Sequence, residues 1–265
     1  MQDLTLTFIQ ADLAWEDTET NLANFDRKIK SIHEPTDLII LPEMFNTGFS
    51  INPEGIAEET GGRTFRWMQQ KAKEKNAAMA GSVLTDENGK YYNRFYWINP
   101  DGSHQQYDKK HLFRLGKEWK VFSAGSEKIV VDYKGWKIMP LICYDLRFPV
   151  WSKNRLIDGE YEYDLLIYVA NWPVPRVYAW KQLLIARAIE NLAYVVGVNR
   201  VGKAAGNIDH SGESMLVDAF GHEIAKAKPH EEEIITATIS KTELEETRKK
   251  LPFAMDWDDF EVGGA

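Results

Sequence analysis

The chain reads as an α/β protein built on a mixed sheet, and three observations carry that reading. Short apolar runs of strand length alternate with helix-length amphipathic segments from Leu4 to Lys250. Turn dipeptides such as Asn88-Gly89 join some neighbouring strands directly, so hairpins are mixed with crossover connections. No internal repeat, low-complexity tract or Pro/Gly/Ser-rich linker interrupts the 265 residues, so residues 1–265 are expected to fold as a single domain.

The elements follow from local pattern. Leu4, Leu6 and Phe8 alternate with Thr5, Thr7 and Ile9, the period of a first strand. Asp17 or Thr18 offers an N-cap to a helix with Leu22, Phe25, Ile29 and Ile32 on one face, stopped by Pro35. Asp37 to Leu41 is a continuous apolar run of the kind a strand buried on both faces needs, and it ends at Pro42-Glu43. A helix is expected from about Thr64 to Lys75, with Phe65, Met68 and Ala72 inward, followed by strands at 77–84 and 91–98 around the Asp86–Gly89 turn. Tyr133-Lys134-Gly135 reads as a hairpin into a strand over 136–141. Strands at 165–170, 193–198, 214–217 and 233–239 frame a helix from Val177 to Asn191, whose apolar stripe is Val177, Trp180, Leu184 and Ala188. A charged helix over 241–250 follows, and the acidic stretch 257–265 reads as a packing arm or a frayed end.

Composition excludes several classes of function. Hydrophobic residues make up 44% and charged residues 27%, the balance of an ordinary globular protein. The net charge of −8 and a pI of about 5.4 argue against nucleic acid or an anionic membrane as partner, since both select a basic face. A single cysteine rules out an intrachain disulfide framework and suits a reducing compartment. With neither a signal-peptide pattern nor an apolar run of membrane-spanning length, the expected location is the cytoplasm.

Three segments could carry chemistry. Glu43, directly after the buried run, is either a solvated loop carboxylate or a general base partly desolvated by Pro42, Met44, Phe45 and Phe49. The segment Tyr107-Asp108-Lys109-Lys110-His111-Leu112-Phe113 is either a charged surface turn or an inward-packed stretch whose lysine needs a carboxylate partner. Cys143 follows the run 137–142 and precedes a polar stretch, which would set a thiol at the carboxyl edge of a sheet, where α/β proteins bind ligands. Free cysteines mostly pack as small hydrophobes, so the thiol alone decides nothing. His111 leaves a Cys–His couple open, whereas the remaining histidines show no metal-ligand spacing. A cysteine, a lysine and a glutamate brought together would supply nucleophile, cation and proton acceptor, the parts that acyl transfer from an amide or nitrile carbon requires.

In this order the three segments resemble the nitrilase superfamily of carbon–nitrogen hydrolases. Glu43 matches that family's glutamate after a strand, Lys109 the lysine of its Lys-x-His-Leu motif, and Cys143 the cysteine of its nucleophile segment, here Cys143-Tyr144-Asp145-Leu146-Arg147-Phe148-Pro149. Glu118, seven residues before Gly125, matches a second glutamate of many members more loosely, because Glu127 is close by. Ala170-Asn171-Trp172-Pro173, Arg187-Ala188-Ile189-Glu190-Asn191 and Asn199-Arg200-Val201-Gly202 resemble its later segments.

The resemblance implies a four-layer α-β-β-α sandwich with mixed sheets, assembled as a homodimer or a larger even oligomer, with no cofactor and no metal. It implies that Cys143 attacks, Glu43 takes the thiol proton, Lys109 and the Tyr144 N–H hold the oxyanion, and Glu118 orients Lys109 or the substrate. The segment Glu43–Ser50 and the short loop after Phe113 are most similar to bacterial omega-amidases, which hydrolyse the terminal amide of 2-oxoglutaramate and related 2-oxo-acid amides. A substrate of that kind has a distal carboxylate, for which a guanidinium is suited. Arg176 is the candidate, with Arg147 and Arg114 equally open to a role in ion pairs, and Phe45, Tyr144 and Trp172 are candidates for the pocket wall. The rival readings are a nitrilase proper, an N-carbamoyl-amine hydrolase, an aliphatic amidase, or a catalytically silent interaction module with Cys143 in its core.

Overall fold

A computed structural model describes residues 2–258 and 260–262. Its principal elements are β1 (Leu4–Gln10), α1 (Thr18–Lys30), β2 (Leu38–Ile40), α2 (Arg63–Lys75), β3 (Ala78–Glu87), β4 (Lys90–Ile98), β5 (His104–Asp108), β6 (Val131–Tyr133), β7 (Trp136–Ile142), β8 (Leu165–Ala170), α3 (Val177–Asn191), β9 (Tyr194–Asn199), β10 (Val201–Ala204), β11 (Ile208–Ser211), β12 (Met215–Val217), β13 (Glu223–Lys226), β14 (Glu233–Ile239) and α4 (Lys241–Lys250). One sheet runs β14-β1-β2-β3-β4-β5 and the other β13-β12-β9-β8-β7-β6. Both are mixed: β1, β2 and β3 are mutually parallel, as are β7, β8 and β9, with antiparallel strands outside each trio.

Strand periodicity explains the layering. Leu4, Leu6, Phe8, Leu38 and Ile40 of the first sheet share one core with Ile138, Leu165, Ile167 and Val196 of the second. The opposite face of the first sheet, with Ile9, Ile39, Leu41 and Met79, packs under Leu22, Phe25 and Ile29 of α1 and Met68 and Ala72 of α2. Trp180, Leu184 and Ala188 of α3 cover the outside of the second sheet. The order of layers is therefore helix, sheet, sheet, helix. The run 38–41 is apolar throughout because both its faces are covered, and each such side chain contributes roughly 1.5–3 kcal/mol on burial.

Local rules account for the joints. Asp17 caps α1 by accepting from the Thr20 N–H at 3.0 Å. The Asn88-Gly89 and Lys134-Gly135 turns have positive φ at both residues, the conformation of a tight hairpin. Strands β5 and β13 and the β10–β11 hairpin were not expected. They are edge or surface elements built from sequences such as His104-Gln105-Gln106-Tyr107-Asp108, of which only Tyr107 is buried, so hydrophobic pattern is silent there. Trp257 meets Tyr161 edge-on at 5.8 Å and lies beneath the Lys153 ammonium at 3.6 Å, so this part of the acidic tail packs as an arm. The rest of that expectation, at Asp259 and residues 263–265, lies outside the described residues.

Candidate active site

Topology brings the chemistry to one end of the sandwich. Glu43 follows β2, Cys143 follows β7 and Asn171 follows β8, each at a strand's carboxyl end. Two antiparallel steps from β3 turn β5 back into the direction of β2, so Lys109, next after β5, emerges at the same end. Gly125 sits against this segment: its N–H donates to the Lys109 carbonyl at 3.0 Å, and a Cβ there would lie 2.1 Å from the Asp108 carbonyl oxygen. Glycine is what lets the chain pass.

Cys143 begins a short 3-10 turn over Cys143–Arg147 and has φ of +43°, an uncommon value for a residue with a side chain. Strain of this kind persists only where the surroundings hold it. Met44, next to Glu43, has φ of +44° and is pinned by its N–H donating to Ser82 Oγ at 2.9 Å.

The Lys109 ammonium donates to Glu43 Oε1 at 2.9 Å and to Glu118 Oε1 and Oε2 at 3.1 and 3.0 Å. All three side chains are almost wholly buried. Asn93 Nδ2 adds a bond to Glu43 Oε1 at 2.8 Å and a longer one to Glu118 Oε1 at 3.4 Å. The Asn171 N–H donates to Glu43 Oε2 at 2.7 Å, and its side-chain amide to the Glu43 carbonyl at 2.6 Å. Phe113 N–H closes the set on Glu118 Oε2 at 2.6 Å. Burial opposes the charge on Lys109, but Glu118 and then Glu43 outweigh it and hold the ammonium above its ordinary range. Burial raises the Glu118 carboxyl against the pull of Lys109. Burial and then the Glu43 charge push the Cys143 thiol well up, while Lys109 and the Asn171 N–H pull it down. Burial and the Glu43 charge thus favour the neutral thiol over the thiolate.

Glu43, Lys109 and Cys143 line one cavity of about 340 Å³. Its wall includes Tyr144, Trp172 and Arg176, and also Trp15, Phe49, Phe113, Arg147, Asn171 and His210. The Arg147 guanidinium lies over the Trp172 ring at 4.7 Å and that of Arg176 over Phe113 at 5.3 Å. Arg114 is on the surface against Trp119. Glu127 is exposed, so the lysine's second carboxylate is Glu118.

Phe45 corrects an expectation. It is fully buried between Phe25, at 5.4 Å, and Trp67, at 5.8 Å, beneath the helical layer, and does not reach the cavity. Residues 43–47 form a turn in which Met44 has φ of +44°, and this break in strand geometry lets Glu43 and Phe45, two residues apart, leave the backbone in different directions. His111 is also away from the thiol: it stacks on Phe148 at 3.7 Å, with Nδ1 2.8 Å from Asp145 Oδ1, which removes the Cys–His couple. Lys110 points to Trp151 instead of the cavity. Asn93 was missed, although an Asn-Arg pair interrupting the apolar stretch 91–98 was a visible signal. Among the described residues, no three His, Cys, Asp or Glu side chains converge to hold a metal ion.

The model of the carbon–nitrogen hydrolase family matches residues 5–249. The chain belongs to the carbon–nitrogen hydrolase family. It is 42% identical to the omega-amidase YafV of Escherichia coli over 99% of this chain and 100% of that one. It is 34% identical to the 2-oxoglutaramate amidase of Bacillus subtilis, over 94% and 95% of the two chains. The crystal structure of XC1258 from Xanthomonas campestris, a superfamily protein with an arsenic adduct in its active site, superposes with a TM-score of 0.97 at 41% identity, covering 99% of this chain and 100% of that one. In this hydrolase the later motif segments brace the site. Arg187 Nη2 donates to the Leu146 carbonyl at 2.6 Å, tying α3 to the turn that bears the cysteine. Asn199 holds the loop after β8 from both sides, accepting from the Trp172 N–H at 2.7 Å and donating to its carbonyl at 2.9 Å.

Proposed function

We propose that this carbon–nitrogen hydrolase is an omega-amidase, removing ammonia from the terminal amide of a small 2-oxo-acid amide of the 2-oxoglutaramate or 2-oxosuccinamate type. The observation that carries the reading is the convergence of a thiol, an ammonium and a buried carboxylate on a cavity that also holds two guanidiniums, with a second buried carboxylate, Glu118, behind the ammonium. Among the described residues neither Arg147 nor Arg176 has a carboxylate partner, so a substrate carboxylate is their natural counter-ion. The similarity to YafV and to the Bacillus subtilis amidase supports the same substrate class.

The chemistry follows from the protonation states. With burial favouring the neutral thiol, the base acts as the sulfur attacks. Glu43 accepts the Sγ proton, the S–C bond forms, and the carbonyl π pair moves onto oxygen, beside Lys109 Nζ and the Tyr144 N–H. Collapse breaks the C–N bond, and Glu43 returns its proton to the departing nitrogen, which leaves as ammonia. Water then attacks the thioester, giving a proton to Glu43, and C–S cleavage regenerates thiolate, acid and finally thiol. Glu118 keeps Lys109 oriented. Arg176 receives the distal carboxylate, and Tyr144 and Trp172 wall the acyl chain.

The shared inter-sheet core supports reading residues 1–265 as one hydrolase domain. Exposed Tyr178, Ile189, Phe220 and Ile224 support an even-numbered homo-oligomer. A single thiol suits the reducing cytoplasm, and no helix among the described residues is long and apolar enough to cross a membrane. Ammonia release measured on 2-oxoglutaramate, glutamine, a nitrile and an N-carbamoyl amine tests the substrate reading. Activity confined to the nitrile or the N-carbamoyl amine would overturn it, and an inert Cys143 thiol would favour the silent module.

A further inference from the structure

Asp145 is fully buried, two residues past the thiol, and has no part in the steps above. Its oxygens gather bonds from both sides of the site. Oδ2 accepts from the Ile142 N–H, just before the nucleophile, at 3.1 Å, and from Tyr107 Oη at 2.8 Å. Oδ1 accepts from the His111 N–H at 3.0 Å and lies 2.8 Å from His111 Nδ1. Tyr107 and His111 stand two residues either side of Lys109. The same Tyr107 oxygen also accepts from the Lys110 N–H at 3.2 Å and from Trp151 Nε1 at 3.1 Å. One carboxylate thus joins the strained turn of Cys143 to the backbone that carries Lys109. Glu43 and Glu118 bind only the lysine's tip; Asp145 holds its root.

We propose that Asp145 is a positioning residue that sets the separation between the Cys143 sulfur and the Lys109 ammonium, through the Tyr107 hydroxyl, the His111 N–H and imidazole, and the Ile142 N–H. This rests on the reading of Cys143 as nucleophile and Lys109 as its cation. A neutral amide at position 145 has one acceptor oxygen and one NH₂ group. It cannot accept from all of these donors at once, so one side of the joint is released. The Cys143 turn, at φ of +43°, then loses the restraint that keeps it strained, and the sulfur drifts from the ammonium.

The test is Asp145→Asn in the full-length enzyme, read by kcat, KM and the pH dependence of Cys143 alkylation by iodoacetamide. Tyr107→Phe serves as the milder variant, since it leaves the carboxylate with its bonds to the His111 and Ile142 N–H groups and removes only the hydroxyl, with its bonds to Asp145, the Lys110 N–H and Trp151 Nε1. The expected result for Asp145→Asn is a fall in kcat of about 10²-fold, on the scale of a displaced oxyanion donor, with KM changed less than threefold. Alkylation of folded protein slows at each pH, and its midpoint moves to higher pH, because Lys109 no longer lowers the thiol as strongly. Tyr107→Phe is expected to shift both in the same direction by about tenfold or less. A merely structural role gives the opposite sign: a loosened site exposes the sulfur and alkylation speeds up. Faster or unchanged alkylation with wild-type kcat per folded molecule would overturn the proposal. If alkylation of the wild type left its amidase activity intact, the reading of Cys143 as nucleophile would fail instead. An Asp145→Asn protein that does not fold hands the decision to Tyr107→Phe, whose wild-type kcat and alkylation midpoint would also overturn the proposal.

Discussion

The two halves of the cavity are built on opposite principles. On one side Lys109, Glu43, Glu118 and Asn93 form a closed, buried set in which the ammonium donates three bonds, at 2.9, 3.0 and 3.1 Å, to two carboxylates. On the other, Arg147 and Arg176 lie over aromatic rings with no carboxylate partner among the described residues. The first half is complete before substrate arrives, as electrostatic preorganisation requires. On the proposed reading the second is completed by the carboxylate of the substrate, so that the groups for chemistry are preorganised within the fold and selectivity is left to the ligand.

That contrast can be broken at several points. Cys143→Ala has the largest expected effect, loss of turnover by about 10⁴-fold or more with the melting temperature nearly unchanged, followed by ammonia release and thermal unfolding. Lys109→Ala comes next. It should cut kcat by about 10²–10³-fold and, by leaving Glu43 and Glu118 uncompensated, destabilise the protein by about 3–5 kcal/mol in urea unfolding. Lys110→Ala, whose ammonium faces Trp151, should change neither.

The open half should respond in KM instead. Arg176→Ala is expected to raise KM for a carboxylate-bearing amide by about 10–100-fold, the scale of a lost charged hydrogen bond, with a smaller change in kcat. An amide lacking the carboxylate should show no such penalty, and a KM unchanged for both would remove Arg176 from the binding site. Phe45→Ala is the smallest in function. It should cost about 3–5 kcal/mol of stability while kcat and KM of the folded protein stay within about twofold, the signature of a residue 0% exposed in the outer core.

Legibility in the sequence divided along the same line. The buried strands declared themselves, because Asp37–Leu41 and Leu165–Ala170 are covered on both faces and must be apolar. The three motif residues were legible as spaced segments, each following a strand that could be recognised or sitting in a recognisable motif. The reach of the wall was not, since Trp15, Phe113 and His210 come from loops and an edge hairpin that hydrophobic period does not register. Phe45 misled because proximity to Glu43 in sequence does not tell which way a side chain leaves the backbone. Asn93 is visible as an interruption of an apolar run, but its role is not, because that role lies in bridging Glu43 and Glu118, residues distant from it in the chain.

During turnover Cys143 is expected to carry the acyl group of a 2-oxo-acid amide. Intact-mass and peptide mass spectrometry of enzyme quenched in acid during turnover of 2-oxoglutaramate tests it most directly. The prediction is an adduct equal to the amide less ammonia on the peptide bearing Cys143, absent from Cys143→Ala. An adduct on another residue, or none while Cys143→Ala hydrolyses the amide undiminished, would contradict it.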